Sequence, residues 1–495
     1  MFFVPLRKNK TQLANMNIVG RKKEIAELEQ LYQAGNSEFV AVYGRRRVGK
    51  TFLVKETFKN RFAFWHTGLS PYDRDKKYLL RDQLQAFFYS LQDYGLTGEP
   101  CPKSWLGAFR LLERLLEQKN DGSKQVVFID ELPWMDTARS RFIPAFEHFW
   151  NGWATKRDNI LLIVCGSATS WMEDNLINNK GGLYNRLNRE MKLHPFTLAE
   201  CEEYFHQREM SVSRYDVAQA YMVFGGIPHY LSLFEKGYST AQNIDLLLFE
   251  KEAKLKNEFD RLFGSLFKNA DDHKKVIQLL AQRRRGYTRK EIIELTDIKE
   301  GGGATEILKG LTESDFITTY YPFGERKTEH YRLADHYCAT YLQFINGKEK
   351  IDPNYWQKNS TSHRLNSWRG FAFEELCFAH LAQIKFKLGI TGVSTTESSW
   401  VVESDGKKHQ IDLIIDRADN IVNLCEIKFY GKPFVVDGTY EQTLRERVQT
   451  LMDTVPPKKS VHLTLIAAYG LKQNEHSGLV QNVVTLDDLF VQQQK

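Results

Sequence analysis

Along the amino-terminal part of the chain, short apolar and β-branched runs alternate with longer amphipathic stretches, and the two periods predict strands and helices in turn. The strand-like runs are 38–43, 61–65, 125–129, 160–165 and 191–193, with amphipathic stretches such as 22–33 and 106–118 between them. That alternation predicts a parallel sheet with crossover helices over 16–196. Thr197-x-x-Glu200 is a capping box that opens a helix through His206, and 197–268 reads as a helical lid with almost no strand pattern. The period changes again over 269–345. There Val276-Ile277-x-Leu279-Leu280, Thr288–Ile292, a turn at Gly301-Gly302-Gly303, a helix over 304–311 and a hairpin pairing 316–321 with 330–333 predict a winged helix-turn-helix. The last unit, 362–495, mixes a helix over 368–383, strands over 410–416 and 421–430, a helix over 440–452 and a strand over 460–467. No internal repeat and no low-complexity linker interrupts the series.

Composition narrows the class without deciding it. The chain has 495 residues, 42% hydrophobic and 13% aromatic, enough apolar material for several packed cores at about 150 residues each. The net charge of +6 does not by itself call for nucleic acid. Arg45-Arg46-Arg47, Arg283-Arg284-Arg285 and Lys407-Lys408 are nonetheless local clusters able to meet phosphates, with solvated charged faces as the bland alternative. Six scattered cysteines show no metal-ligand spacing and read as reduced thiols. The start, Met1-Phe2-Phe3-Val4-Pro5-Leu6-Arg7-Lys8, turns basic too soon for a secretory segment, and no window reaches a membrane-spanning length. A cytoplasmic protein without a membrane partner is expected.

The strand at 38–43 runs into Gly44-Arg45-Arg46-Arg47-Val48-Gly49-Lys50-Thr51, a G-x-x-x-x-G-K-[ST] phosphate loop. Its glycines let successive N–H groups and a helix N-terminus face a triphosphate, Lys50 adds a point charge, and Thr51 offers a hydroxyl to Mg²⁺. The expected nucleotide contacts are Gly44, Arg45, Arg46, Arg47, Val48, Gly49, Lys50, Thr51 and Phe52. Val126-Val127-Phe128-Ile129-Asp130-Glu131 ends a buried strand in two acids. Asp130 suits the Mg²⁺ shell and Glu131 suits the base that aligns water, since phosphoryl transfer is mostly positioning and electrostatics. Ser167 follows a third apolar strand, where it can sense a γ-phosphate. Arg186 and Arg189 are candidates to supply charge from a neighbouring subunit, which would mean self-association through this module; plain surface arginines are the alternative.

These residues, with Asn17-Ile18-Val19-Gly20-Arg21-x-x-Glu24 and Phe224-Gly225-Gly226-Ile227-Pro228-His229-Tyr230, resemble the archaeal-type ATPase family of AAA+-like, STAND-related P-loop NTPases. The resemblance covers about 16–235. It implies ATP and Mg²⁺ as ligands, Gly20 and Arg21 beside the base, and a lid opened by the Gly226-x-Pro228 turn. It also implies a winged helix and a C-terminal domain similar to PD-(D/E)xK nucleases. The fold class is then an α/β P-loop NTPase sheet with helical lid, winged helix and a C-terminal α/β restriction-endonuclease-like domain.

The C-terminal residues bear on that last implication. Asp412 interrupts an apolar strand, and Glu426 and Lys428 lie two apart on the next, hence on one face. A three-residue connection, Ala418-Asp419-Asn420, would set Asp412 opposite Glu426, whereas a two-residue loop would turn it to the other face. Opposed carboxylates can bind Mg²⁺ and a neighbouring lysine can act on water, which resembles the PD-(D/E)xK core. Glu374 is the helical acid by spacing and Glu375 its rival; no proline precedes Asp412. A bare buried Glu426–Lys428 ion pair is the alternative. The leading expectation is an ATPase module that gates or drives a DNA nuclease. In that reading Thr305 and Lys309 of the winged helix and Arg326 and Lys327 of its wing face DNA. The alternatives are an ATP-dependent signalling switch with an inert C-terminal docking domain, and an ATPase that remodels a partner on DNA.

Overall fold

The computed structural model describes residues 18–70, 79–267, 269–325, 327–404 and 407–492. Met1–Lys8, Asn17 and Arg326 lie outside the described residues, as do the side chains of Lys407 and Lys408.

Five parallel strands, β1 (Glu38–Tyr43), β2 (Phe62–Thr67), β3 (Gln125–Asp130), β4 (Ile160–Gly166) and β5 (Arg189–Lys192), form the first sheet in the order β2-β3-β4-β1-β5. Every residue of β1, β3 and β4 is buried, because helices cover both faces of a parallel sheet. One face packs Val40, Val42, Val126 and Phe128 with helix Lys50–Phe58; the other packs Phe39, Val127 and Ile129 with the aromatic side of helices Leu80–Asp93, Trp105–Gln118 and Phe142–Gly152. Tyr43 is level with Gly166 and Ile129 with Val164, so the glycine loop, the acid pair and Ser167 emerge along one edge of the sheet.

The lid is helical, as expected, and its Thr197–Glu200 capping box forms with both reciprocal bonds. In the winged helix, helices Ala270–Leu280, Arg289–Thr296 and Gly302–Glu313 precede a three-stranded sheet of β6 (Tyr287–Thr288), β7 (Ile317–Tyr320) and β8 (His330–Leu333), ordered β6-β8-β7. Strand β6 is too short to leave a pattern in the sequence. Gly302 and Gly303 belong to the third helix itself, which starts earlier than the apolar period implies.

The carboxyl-terminal unit is a mixed sheet of β9 (Thr395–Ser404), β10 (Lys407–Arg417), β11 (Ile421–Lys428), β12 (Ser460–Ala467) and β13 (Asn482–Thr485), ordered β13-β12-β11-β10-β9. Helix His363–Ala379 supplies Phe373, Leu376 and Cys377 to one face with Leu413, Cys425 and Ile427; helix Gly438–Thr454 supplies Leu444 and Leu451 to the other with Ile414 and Leu424. The expected helix over 368–383 is broken at His380, whose ring accepts the Leu198 N–H at 3.0 Å and ties this unit to the lid. A single apolar core runs from the first sheet through lid and winged helix into this second sheet. Among the described residues no helix is long and apolar enough to cross a membrane.

Candidate functional site

Gly44 (φ 129°) and Gly49 (φ 95°) take backbone conformations that side chains resist, and a Cβ on Gly44 would meet the Leu193 carbonyl. The loop so formed caps helix Lys50–Phe58 and turns its free N–H groups outward. Lys50 Nζ donates to the loop's own carbonyls, Gly44 at 3.0 Å and Arg45 at 3.1 Å. The Thr51 hydroxyl donates to Asp130 Oδ2 at 2.9 Å, and burial together with the Glu131 charge pushes the Asp130 carboxyl above its ordinary range. Glu131 (φ 49°) has both oxygens held by Ser167: the hydroxyl donates at 2.7 Å and the N–H at 3.1 Å.

A cavity of about 480 Å³ opens here. Its polar half is Lys50, Thr51, Glu131 and Ser167; its apolar half is Ile18, Val19, Phe52, Phe196 and Tyr204; Pro228 and His229 close it from the lid. The shape fits a nucleotide, phosphates on the loop and base among the rings. Burial, then Arg47 and Arg46, pushes His229 down to about 4. Gly226 (φ 64°) lets its backbone close on the Phe196 carbonyl, which sets Pro228 at the start of the next helix and over the cavity. Arg21 lines the cavity but its guanidinium donates to the His194 carbonyl at 2.5 Å and reaches the Val48 carbonyl at 3.5 Å, bracing the loop; Gly20 packs against Glu200.

The expectation that all three loop arginines meet phosphate needs correcting. Arg45 is 1% exposed and points backward: its Nη2 lies 2.5 Å from Asp335 Oδ2, beyond the last strand of the winged helix, with Phe316 and Tyr230 rings beside it. This is a contact of charges without hydrogen-bond alignment, and the same Asp335 accepts the Cys338 N–H at 2.7 Å to cap helix His336–Phe344. Arg47 pairs with Glu258 of the lid at 2.7 Å, and Glu258 also accepts the Tyr230 hydroxyl at 3.0 Å. Only Arg46 keeps its side chain along the cavity without a carboxylate, over Trp134. A basic tripeptide offers no periodic signal for which arginine turns inward, and Asp335 reads as an ordinary helix cap, so sequence reasoning missed the pair. Arg186 is exposed on a turn away from the cavity, and Arg189 is taken by Glu27.

The winged helix is docked on this module. Lys309 pairs with Asp174 and with Glu313, and Lys192 reaches Asp315 at 3.0 Å. Burial and the Glu313 carboxyl push Glu173 up to about 7 in the same contact. Lys309 is engaged by these acids while still exposed, as are Thr305 and Lys327. The wing leans on β9, with the Phe323 N–H donating to the Ser399 carbonyl at 3.3 Å.

In the second sheet the three-residue connection forms as expected, closed by Asn420 (φ 66°), and the register Leu413↔Cys425 sets Asp412 opposite Glu426. Burial and Glu426 push Asp412 up to about 6; burial and Asp412 push Glu374 up to about 9. Glu374 is thus the helical acid of the cluster, and Glu375 instead faces Arg332 at 3.7 Å. Glu426 is 2% exposed and fully engaged: Lys428 at 2.6 Å, Arg447 at 2.5 Å and the Tyr440 hydroxyl. Burial alone would raise it, but the two cations hold its carboxyl below the ordinary range. A divalent cation would find the Glu426 oxygens occupied, and among the described residues no group of three His, Cys, Asp or Glu could hold a metal. The expected metal ligation by Asp412 and Glu426 does not fit this arrangement, which is an ion-pair cluster. Tyr440 and Arg447 went unnoticed although their spacing of seven puts them on one face of their helix.

Residues 18–234 match the family described as an ATPase domain predominantly from Archaea. The amino-terminal module is thus similar to archaeal-type P-loop ATPases over those residues. An uncharacterized protein of Methanocaldococcus jannaschii, MJECL04, is 24% identical over 370 residues, 74% of this chain and 77% of that protein. The uncharacterized ATP-binding protein MJ0423 of the same organism is 42% identical over 43 residues, 9% of this chain and 73% of that one. Among solved structures, the Walker-type ATPase PABY2304 of Pyrococcus abyssi has a TM-score of 0.48 at 19% identity, covering 66% of this chain and 96% of that chain. The ATPase module's phosphate loop, Asp130, Glu131 and Ser167 all lie within the matched span.

Proposed function

We propose that this protein is an ATP-driven switch: the nucleotide in the ATPase pocket decides whether the winged helix stays docked, and the carboxyl-terminal sheet domain binds a partner without cutting it. One observation carries this reading. Arg45, a residue of the phosphate loop itself, is buried against Asp335 of the winged-helix exit. A triphosphate would draw Lys50 away from the Gly44 and Arg45 carbonyls, so the segment that holds Asp335 must readjust whenever nucleotide enters. It would also compete with Glu258 for Arg47. Thr51 and Asp130 are the groups that would hold the Mg²⁺ accompanying ATP, which would offset charge on the phosphates. Glu131 is the base once Ser167 turns to the γ-phosphate. Arg186, exposed and away from its own cavity, is suited to a neighbour's nucleotide in a self-associated form. DNA is the partner most consistent with a winged helix, reached after undocking frees Lys309.

The competing reading, metal-dependent DNA cleavage, is favoured by the convergence of Glu374, Asp412, Glu426 and Lys428, and requires Lys428 and Arg447 to release Glu426. Supercoiled plasmid incubated with the protein, ATP and Mg²⁺ or Mn²⁺ is expected to stay intact while ATP is consumed. Cutting that Asp412→Ala and Lys428→Ala both abolish would replace the switch by the nuclease.

A further inference from the structure

Two cavities lie between the winged helix and the carboxyl-terminal domain, about 990 Å³ and about 370 Å³, and they share Gln282, Arg284 and Glu375. Adjoining through these shared walls, they mark a groove with Asp335 and Trp368 in the larger cavity and Asp412 in the smaller. Its charge is uneven. Of the acids along it, Asp335 faces Arg45 and Glu375 faces Arg332, burial and Asp412 push Glu374 up to about 9, and Asp412 at the far end accepts the Ile427 N–H at 3.3 Å. Among the described residues, Arg284, Arg285 and Arg364 carry no ion pair, and all three are exposed. Arg332 is 7% exposed at the groove wall and leaves its Nε without a hydrogen-bond partner. Half-buried rings line it: Trp368 and Phe371 in the larger cavity, Phe371 with the Arg284 guanidinium stacked on its face, and Phe378 in the smaller, beneath the Arg332 guanidinium.

We propose that this groove binds a single strand of nucleic acid, with Arg284, held on the Phe371 ring, Arg285 and Arg364 on its phosphates and Trp368 as the stacking face for a base. Cations repeated along a groove with an aromatic face beside them match a chain of phosphates and bases, whereas a small anion would need only one such point. The inference rests on the switch reading only in that the docked winged helix supplies one wall.

The test is fluorescence anisotropy of the full chain with a labelled oligothymidylate and with a duplex of equal length, run without nucleotide so that failure of the switch leaves the outcome untouched. The single strand is expected to bind more tightly than the duplex. Arg284→Ala/Arg285→Ala/Arg364→Ala is expected to weaken it roughly tenfold or more and to flatten the salt dependence by about 2 in log–log slope, roughly 0.7 for each lost phosphate contact. The corresponding triple Lys variant keeps the charge and should retain most of the affinity; an unmoved thermal midpoint shows that both variants fold. Wild-type affinity in the alanine variant, a duplex preference that the variant does not change, or no binding of either probe would each overturn the proposal.

Discussion

Asp335→Ala is expected to destabilise the protein by about 3–5 kcal/mol in urea unfolding, because it strands the Arg45 guanidinium, 1% exposed, without a counter-charge. A further ~1 kcal/mol comes from the lost cap on helix His336–Phe344. The loss should be far smaller when both charges go. Arg45→Met combined with Asp335→Leu fills the same space with apolar groups, and buried ion pairs replaced in this way are often neutral. The double-mutant cycle thus separates a pair that is costly to break from one that stabilises the fold, and it also uncouples loop from winged helix without unfolding either. Single-variant losses below about 1 kcal/mol would mean that Arg45 finds another partner or water, and the proposed link would lose its physical basis.

Glu131→Gln is expected to lower ATP turnover by about 10²- to 10³-fold while ATP binding is retained. The amide oxygen can still accept one of the two Ser167 bonds, with the other lost because an amide NH2 cannot accept, and the amide cannot take a proton from the attacking water. Single-turnover kinetics beside equilibrium binding of labelled ATP separate the two effects. Equal turnover in wild type and variant would remove Glu131 from the role of base.

Much of this site is legible in the sequence because the chemistry is local. A glycine loop after an apolar strand, and two acids at the end of another, are read from consecutive residues, and the parallel register then brings them to one edge. The Asp412–Glu426 register is legible only as one of two alternatives, because the sequence leaves two- and three-residue connections both open and they turn Asp412 to opposite faces. What could not be read depends on residues distant in the chain. Arg45 meets Asp335, Arg47 meets Glu258 and Lys309 meets Asp174 through packing between modules, and no periodicity reports such pairs. The same reason explains the carboxyl-terminal cluster: Asp412, Glu426 and Lys428 fit a metal site until Arg447 arrives from a helix that follows in sequence. Strand β9 was missed because an edge strand with serine, threonine and glutamate at most positions has little apolar alternation to show.

On the proposed switch, nucleotide in the pocket loosens the winged helix. Hydrogen exchange on the backbone of helix Gly302–Glu313, followed in Glu131→Gln with and without ATP, tests it most directly, because that helix is held by the Lys309–Asp174 contact. Exchange should accelerate when ATP is bound, and should become indifferent to ATP in the Arg45→Met/Asp335→Leu background. Exchange that is unchanged by ATP in Glu131→Gln, with saturation of the pocket confirmed, would contradict the account.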